Sequence, residues 1–251
     1  MRYFITLSYN GTAYCGWQIQ PNAPSVQQTL QKALSTLLRT DTEITGAGRT
    51  DTGVHARKMV AHFDHPSALS DAELTQLAYK LNKFLPRDIA IHDIRQVSDN
   101  LPARFSATSR TYHYYIVTAK TPFEPFAYHF PLPLDFRQMN EACRALFDYT
   151  DFTSFSKLHT DAKTNLCTIT AARWEQISAE KWQFTITANR FLRNMVRAIV
   201  GTLLDVGRGA ITLQQFRDII EKRDRCAAGS SVPGNALFLA DITYPDSPSE
   251  P

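Results

Sequence analysis

Little in this sequence is given over to cross-links, membrane spans or charge of one sign. Four residues of 251 are cysteine, at positions 15, 143, 167 and 226. They are too scattered for a zinc knuckle or a redox pair, and a chain of this length has no need of a disulfide framework. They read as reduced thiols of a cytoplasmic protein. No apolar run approaches membrane-spanning length, because the most hydrophobic helical stretch is interrupted by Arg193 and Arg197, and the short apolar start lacks a signal-peptide pattern. A membrane partner is not expected. Net charge is also small: 27 Lys+Arg against 24 Asp+Glu leave +3, a balance that permits nucleic-acid binding without indicating it. What the chain does have is core material, with 43% hydrophobic residues, enough for one large domain or two ordinary ones.

The order of elements follows from hydrophobic period and turn chemistry. From Arg2 to Tyr9 the residues Tyr3, Ile5, Leu7 and Tyr9 alternate, the period of a strand, and Asn10-Gly11 turns the chain. Ser25 with Gln28 has the spacing of a capping box, opening a helix with Val26, Leu30, Ala33, Leu34 and Leu37 on one side. A strand near Glu43 to Thr45 enters a Gly-rich loop, and Met59, Ala61 and Phe63 alternate on the strand that leaves it. A second box, Ser70 with Glu73, opens a helix that must stop before Pro86, and Ile89 to Val97 reads as a strand.

This βαββαβ order is that of a split βαβ, or ferredoxin-like, unit, and the remainder repeats it without residue-level identity. Thr111 to Val117 is a strand; Asp135 caps a helix; two strands follow; a long helix starts near Phe191; Thr212 with Gln215 opens another; and a strand runs through Leu237, Leu239 and Ile242. The expected fold is α+β: residues 1–106 as one unit, 107–245 as a second, and 246–251 as a loose tail. Each unit would carry helices on one face of an antiparallel sheet, the layout of RNA-recognition modules, although their aromatic octapeptide is absent.

Residues 46–56, Gly46-Ala47-Gly48-Arg49-Thr50-Asp51-Thr52-Gly53-Val54-His55-Ala56, join a carboxylate, a guanidinium and three glycines where no regular element can form. The glycines imply a tightly shaped loop around Asp51. Read alone, the segment is either a site or an elaborate hairpin whose Arg49 and Asp51 pair at the surface.

Gly48-Arg49-Thr50-Asp51 followed by Gly53-Val54-His55 resembles the signature of the tRNA pseudouridine synthase A family. Other blocks match in order: Tyr9-Asn10-Gly11 with Gly16-Trp17-Gln18; Ser25-Val26-Gln27; Ala103-Arg104-Phe105-Ser106-Ala107 running on to Tyr112; Asp151-Phe152-Thr153-Ser154-Phe155; Phe191 with Met195-Val196-Arg197; and Gly201. The resemblance implies two sheets joined side by side with Asp51 at the floor of a cleft. It implies an isomerase that converts uridine to pseudouridine at positions 38 to 40 of the tRNA anticodon stem-loop. It further implies a homodimer and no cofactor or metal.

That reaction breaks a C1′–N1 bond, turns the uracil while it is held, and joins C5 to C1′, so it needs a group that captures or stabilises the intermediate and help at C5. By the resemblance Asp51 takes the first role and Tyr112 stacks on the base and assists at C5. Burial tends to protonate a carboxylate, a tendency that a nearby guanidinium opposes; the family's pattern gives that place to Arg197. If residues 190–197 are helical, Arg190, Arg193 and Arg197 fall within about 60° of one another, a basic stripe for RNA or for solvent. A base inside a stem must be flipped out, and Arg49 is suited to fill the gap. Leu237 would wall the uracil, with a core role as the plainer reading. Tyr114 and Tyr115 read as packing residues.

The chain departs from the family at Arg57-Lys58-Met59, where a small residue and Gly-Gln are common, which adds two RNA-docking charges, and at Thr160, Ala162 and Cys167, with Lys163 keeping basic character. Two other functions fit parts of the sequence. A non-catalytic RNA-binding protein of two split-βαβ units would not need Asp51, Tyr112 and Arg197 together. A metal-dependent hydrolase using Asp51, His55 and His62 lacks a defined ligand spacing.

Overall fold

The computed structural model describes residues 1–157 and 164–245. The expectations at Thr160, Ala162 and Lys163 and in the 246–251 tail lie outside those residues. The protein is of mixed α+β class and divides into two compact units, residues 1–108 with the chain from Leu239 on, and residues 109–238. Against the expected 1–106 and 107–245, the chain passes out of the first unit at 108 and re-enters it at Leu239.

In the first unit the elements run β1 (Arg2–Tyr9), α1 (Val26–Leu38), β2 (Ile44–Gly46), β3 (His55–Asp64), α2 (Asp71–Phe84) and β4 (Ile89–Val97). Antiparallel pairing puts β1 between β4 and β3, with β2 on the first half of its own hairpin to β3. Tyr3, Ile5 and Leu7 lie opposite Phe63, Ala61 and Met59, and Ile5 and Leu7 lie opposite Ile94 and Ile91, so alternate residues make one continuous apolar face. That face is buried, as are Leu30 and Leu34 of α1 and Leu74, Leu77 and Leu81 of α2. Ser70 and Glu73 close their capping box in both directions, while at Ser25 the structure gives the bond from the Gln28 N–H to Ser25 Oγ. Helix α2 stops at Leu85 because the residue before Pro86 is driven out of the helical region, to φ −71° and ψ 152°. The last strand, β9 (Leu237–Thr243), neighbours β3, and from Leu239 on its residues belong to this unit.

The second unit carries β5 (Ser109–Val117), β6 (Tyr128–His129), α3 (Phe136–Ala145), β7 (Ile169–Gln176), β8 (Lys181–Ala188), α4 (Met195–Gly207) and α5 (Leu213–Lys222). Here β8 is central, antiparallel to both β5 and β7. Asp135 accepts from the Gln138 N–H to cap α3, and Thr212 and Gln215 form a complete box at α5. The core includes Tyr114, Phe184, Ile186 and Trp174, with Phe136 stacked on Trp182 at 3.5 Å between ring centres.

A detail with no sequence signature recurs in both units. Asn82 of α2 bonds both backbone groups of Ile91 in β4, each at 2.8 Å, and Asn140 of α3 does the same for Trp174 in β7, at 2.8 and 3.1 Å. Among the described residues, strands β4 and β7 each have one sheet neighbour. A side-chain amide that matches a peptide group covers one step of an otherwise unpaired edge.

Candidate active site

The loop between β2 and β3 is held by the segment between β1 and α1. Ala47 N–H still bonds to Val60 O at 2.8 Å, after which the chain leaves the sheet. Thr50 is then fixed three ways: its hydroxyl meets the buried Tyr9 hydroxyl at 2.8 Å, its carbonyl accepts from Trp17 N–H at 3.2 Å, and Gly16 lies against that carbonyl. A Cβ on Gly16 would stand 2.2 Å from Thr50 O, and the residue has φ +90°, so only glycine fits on both counts. On the far side of Asp51, Val54 N–H closes a turn onto Asp51 O at 3.1 Å, and Gly53 N–H bonds Tyr14 O at 3.2 Å with φ +75°. Residues 11–17 thus form a brace that runs alongside 50–55. Tyr14 anchors the brace through its hydroxyl, which donates to Asp88 at 2.8 Å; burial and that carboxylate both push its ionisation upward.

Asp51 is partly buried in this frame and Arg49 is exposed. The glycines contribute unequally. Gly46 lies against the Trp17 indole, where a Cβ would stand 2.4 Å from Nε1, and Gly53 takes its positive φ, but Gly48 faces open space. The expected tight loop is therefore enforced mostly from the brace, by Gly16 and by Gly11, whose Cβ would collide with Val54 O.

His55 and His62 are each held by a backbone donor. His55 is buried and its Nδ1 accepts from Gly11 N–H at 3.0 Å, while His62 Nδ1 accepts from Ala103 N–H at 3.2 Å. Burial lowers the His62 pKa, with the nearby Arg2 charge adding to the effect. Both Nδ1 lone pairs are engaged by backbone donors, and among the described residues no group of three His, Cys, Asp or Glu is placed to hold a metal ion. Lys58 and Arg57 lie where β3 shifts register against β1, between the Leu7–Met59 and Tyr9–Ala56 pairs, so two residues of β3 oppose one of β1. Lys58 Nζ sits 2.7 Å from Asp241, and Arg57 is exposed.

Tyr112, Arg190, Arg193, Arg197 and Leu237 belong to the second unit. Tyr112 is half-buried on β5 with its ring edge-on to Phe191 at 5.1 Å. Tyr114 and Tyr115 are core residues, Tyr114 donating to Pro233 O at 3.0 Å. Helix α4 starts at Met195 rather than near Phe191, because Asn194 adopts a left-handed conformation at φ 67° and stops the helix from extending backwards. Arg190 and Arg193 therefore precede the helix, and the shared helical arc expected for them with Arg197 does not exist. Arg197 alone is on α4. Its Nε donates to Val232 O at 2.7 Å and its own carbonyl accepts from Val232 N–H at 3.2 Å. Gly201 allows that approach, since a Cβ there would collide with Ser230 O.

Leu237 opens β9 and is buried. The thiol of Cys167, also buried, is pushed up to about 11 by burial, with the Arg190 charge working the other way. The Asp151 to Phe155 block is a packing device: Phe152 and Phe155 are fully buried, and Ser154 Oγ bonds Ile219 O at 2.6 Å.

A family model described as tRNA pseudouridine synthase matches residues 5–113 and 142–245, covering both the braced loop and the segment around Arg197. The chain belongs to that family. Among similar proteins, the tRNA pseudouridine synthase A of Bacteroides thetaiotaomicron is 59% identical over 248 residues, 98% of this chain and 91% of that protein. That of Parabacteroides distasonis is 60% identical over 246 residues, 98% and 96% of the two chains, and that of Bacillus subtilis 40% over 249 residues, 97% and 99%. A solved chain from a Cbf5-Nop10-Gar1 complex aligns over 80% of this chain and 54% of its own length at 10% identity and a TM-score of 0.31, a likeness too slight to bear on fold or activity. For this synthase, sequence reading singled out the 46–56 loop as its candidate site but missed the brace. Its signal was present in Gly11, Tyr14, Gly16 and Trp17, but a contact across more than thirty positions has no local pattern.

Proposed function

We propose that this chain isomerises uridine to pseudouridine in tRNA, at positions 38 to 40 of the anticodon stem-loop, without a cofactor. The carrying observation is the family match across both units together with 59% identity to a tRNA pseudouridine synthase A over nearly the full chain. The reaction is balanced within the substrate: the C1′–N1 bond breaks, the C5–C1′ bond forms, C5 loses a proton and N1 gains one.

Asp51 is our nucleophile or intermediate-stabilising carboxylate. Supporting this, Thr50 before it and Gly53 after it are both tied to the brace, so the carboxylate is carried on a fixed backbone instead of a loose loop. Tyr112 assists at C5, and its ring stands edge-on to Phe191, which limits the orientations it takes. Arg197 is our candidate for the guanidinium of the site, with its Nε fixed by Val232. Arg49 replaces the flipped base, its exposed position on the loop suiting a residue that enters RNA, and Leu237 walls the uracil. Arg57, Arg190 and Arg193 supply phosphate contacts; Lys58, paired with Asp241, contributes less.

We read each unit as a split βαβ module, supported by the β4-β1-β3 and β7-β8-β5 orders with helices in the crossovers. The working form is a homodimer that offers one tRNA two docking surfaces; the exposure of Phe123 at 87% and Phe126 at 38% supports a surface available for such contact. The test is direct. Unmodified tRNA transcript incubated with the protein should gain pseudouridine at the anticodon arm, and tRNA from cells lacking the protein should lack it there. Absence of product with a transcript carrying those uridines would reject the function.

A further inference from the structure

The loop that follows α5, from Asp224 to Val232, lies wholly within the second unit. Asp224 N–H donates to the fully buried Ser154 Oγ at 3.0 Å, and the Asp224 carboxylate accepts from Cys226 N–H at 2.9 Å, which starts a single 3₁₀ turn over Arg225–Ala227. The loop then runs along α4 towards its first turn. Gly229 N–H donates to the buried Thr202 Oγ1 at 3.0 Å, Ser231 Oγ accepts from Asn194 Nδ2, and Val232 holds Arg197 through both its carbonyl and its N–H.

Arg225 closes that loop on itself. Its Nη1 donates to Gly229 O at 3.2 Å, with Ala228 O at 3.5 Å, and its Nη2 donates to Ser231 Oγ at 2.9 Å. All three acceptors are neutral, so the planar fork sets geometry instead of balancing a carboxylate. None of residues 225–231 is buried, and the loop therefore brings little apolar surface to the core until Val232. What the arginine fixes is a set of polar groups laid against the turn of α4 that carries Arg197.

The geometry points to Arg225 as a positioning residue of the proposed isomerisation, one that clasps the 228–232 loop and, through Ser231 and Val232, holds the Arg197 side chain in one orientation. This rests on the Arg197 assignment above and extends it to a residue that reaches the site only through others. Rates are sensitive to the placement of a group acting on the reacting atoms, whereas phosphate contacts made elsewhere set affinity for tRNA. Loss of the clasp therefore acts on turnover and spares binding. Lysine, a point charge on a flexible stem, replaces the fork only in part.

The test has two readouts on wild type, Arg225→Ala, Arg225→Lys and Ser231→Ala, with a melting curve for each. The first is exchange with water of the Arg197 Nε–H, followed by nitrogen-15 NMR and assigned by loss of its signal in Arg197→Lys. Its bond to Val232 O should protect it in the wild type, and exchange should quicken at least roughly tenfold in Arg225→Ala. The second is the single-turnover rate on unmodified tRNA transcript, with Kd alongside: Arg225→Ala should be slower by at least about tenfold at a Kd within about threefold of wild type. Arg225→Lys should recover part of both readouts, and Ser231→Ala, which removes one acceptor of the fork, should move both in the same direction by less. Wild-type exchange or a wild-type rate in Arg225→Ala overturns the proposal, as does a rate loss matched by the unfolded fraction at the assay temperature. If Arg225→Ala does not fold, the same comparisons on Arg225→Lys and Ser231→Ala decide. Quickened exchange in Arg225→Ala beside a wild type that binds tRNA but forms no pseudouridine would reject the proposed reaction and leave the clasp on Arg197 standing.

Discussion

At the scale of the residue, the loop that carries Asp51 depends for its shape on residues well separated from it in the chain. Gly16 does two things that no other residue does there: it adopts φ +90° and it lets the brace approach Thr50 O. Gly16→Ala should therefore cost more than about 2 kcal/mol in chemical denaturation, or shift the loop and reduce kcat at least tenfold if the fold yields locally. A variant with wild-type stability and turnover would show the brace to be incidental.

His62 gives a pH dependence whose sign follows from its direction of shift. Its folded pKa lies below the ordinary value of 6.5, so the unfolded chain binds more protons as pH falls through 6.5 and stability decreases on acidification. Above that value both states are neutral at this site and the effect vanishes. Melting temperatures of wild type and His62→Asn, compared between pH 7.5 and 5.5, should converge as pH falls; parallel curves would contradict the shift. Residues of this kind were the least legible in the sequence. Asp51 announced itself by company, a carboxylate among glycines, whereas the function of Tyr9, Gly11 and Gly16 depends on contacts between segments far apart in the chain.

At the scale of the element, most of the architecture was legible because caps and periods are local. Strands β1 and β4 and the Ser70 and Thr212 helix starts stand where alternation and capping boxes put them. The start of α4 was not legible. Residues 191–194 carry no proline or glycine, and the left-handed Asn194 that bounds the helix at its start goes with the docking of residues 230–232, where Asn194 Nδ2 bonds Ser231 Oγ at 2.6 Å. The helix-to-edge-strand amides were equally hidden, since an asparagine on a helix normally reads as solvent-facing. Asn82→Ala and Asn140→Ala should each destabilise by about 1 to 3 kcal/mol, because each removes the partner of two backbone groups at once. Denaturant midpoints at an unchanged m-value would measure this, and losses under about 0.3 kcal/mol would mean that water replaces the amides.

At the scale of the whole molecule, bulk properties say almost nothing about activity: a net charge of +3 is compatible with many partners. The function enters through the family match over residues 5–113 and 142–245, and the chemistry we propose through one loop whose backbone is fixed on both sides of Asp51. The central claim is that Asp51 is required for the isomerisation and not for holding tRNA, since a group acting on the reacting carbon contributes in the transition state while phosphate contacts set affinity. The most direct measurement is release of tritium from tRNA transcript labelled at uridine C5, with Kd measured on the same preparations of wild type and Asp51→Ala. We expect release by the wild type and none above background by Asp51→Ala, at a Kd within about threefold of wild type. Turnover by Asp51→Ala, or loss of its activity only through loss of tRNA binding, would contradict the assignment.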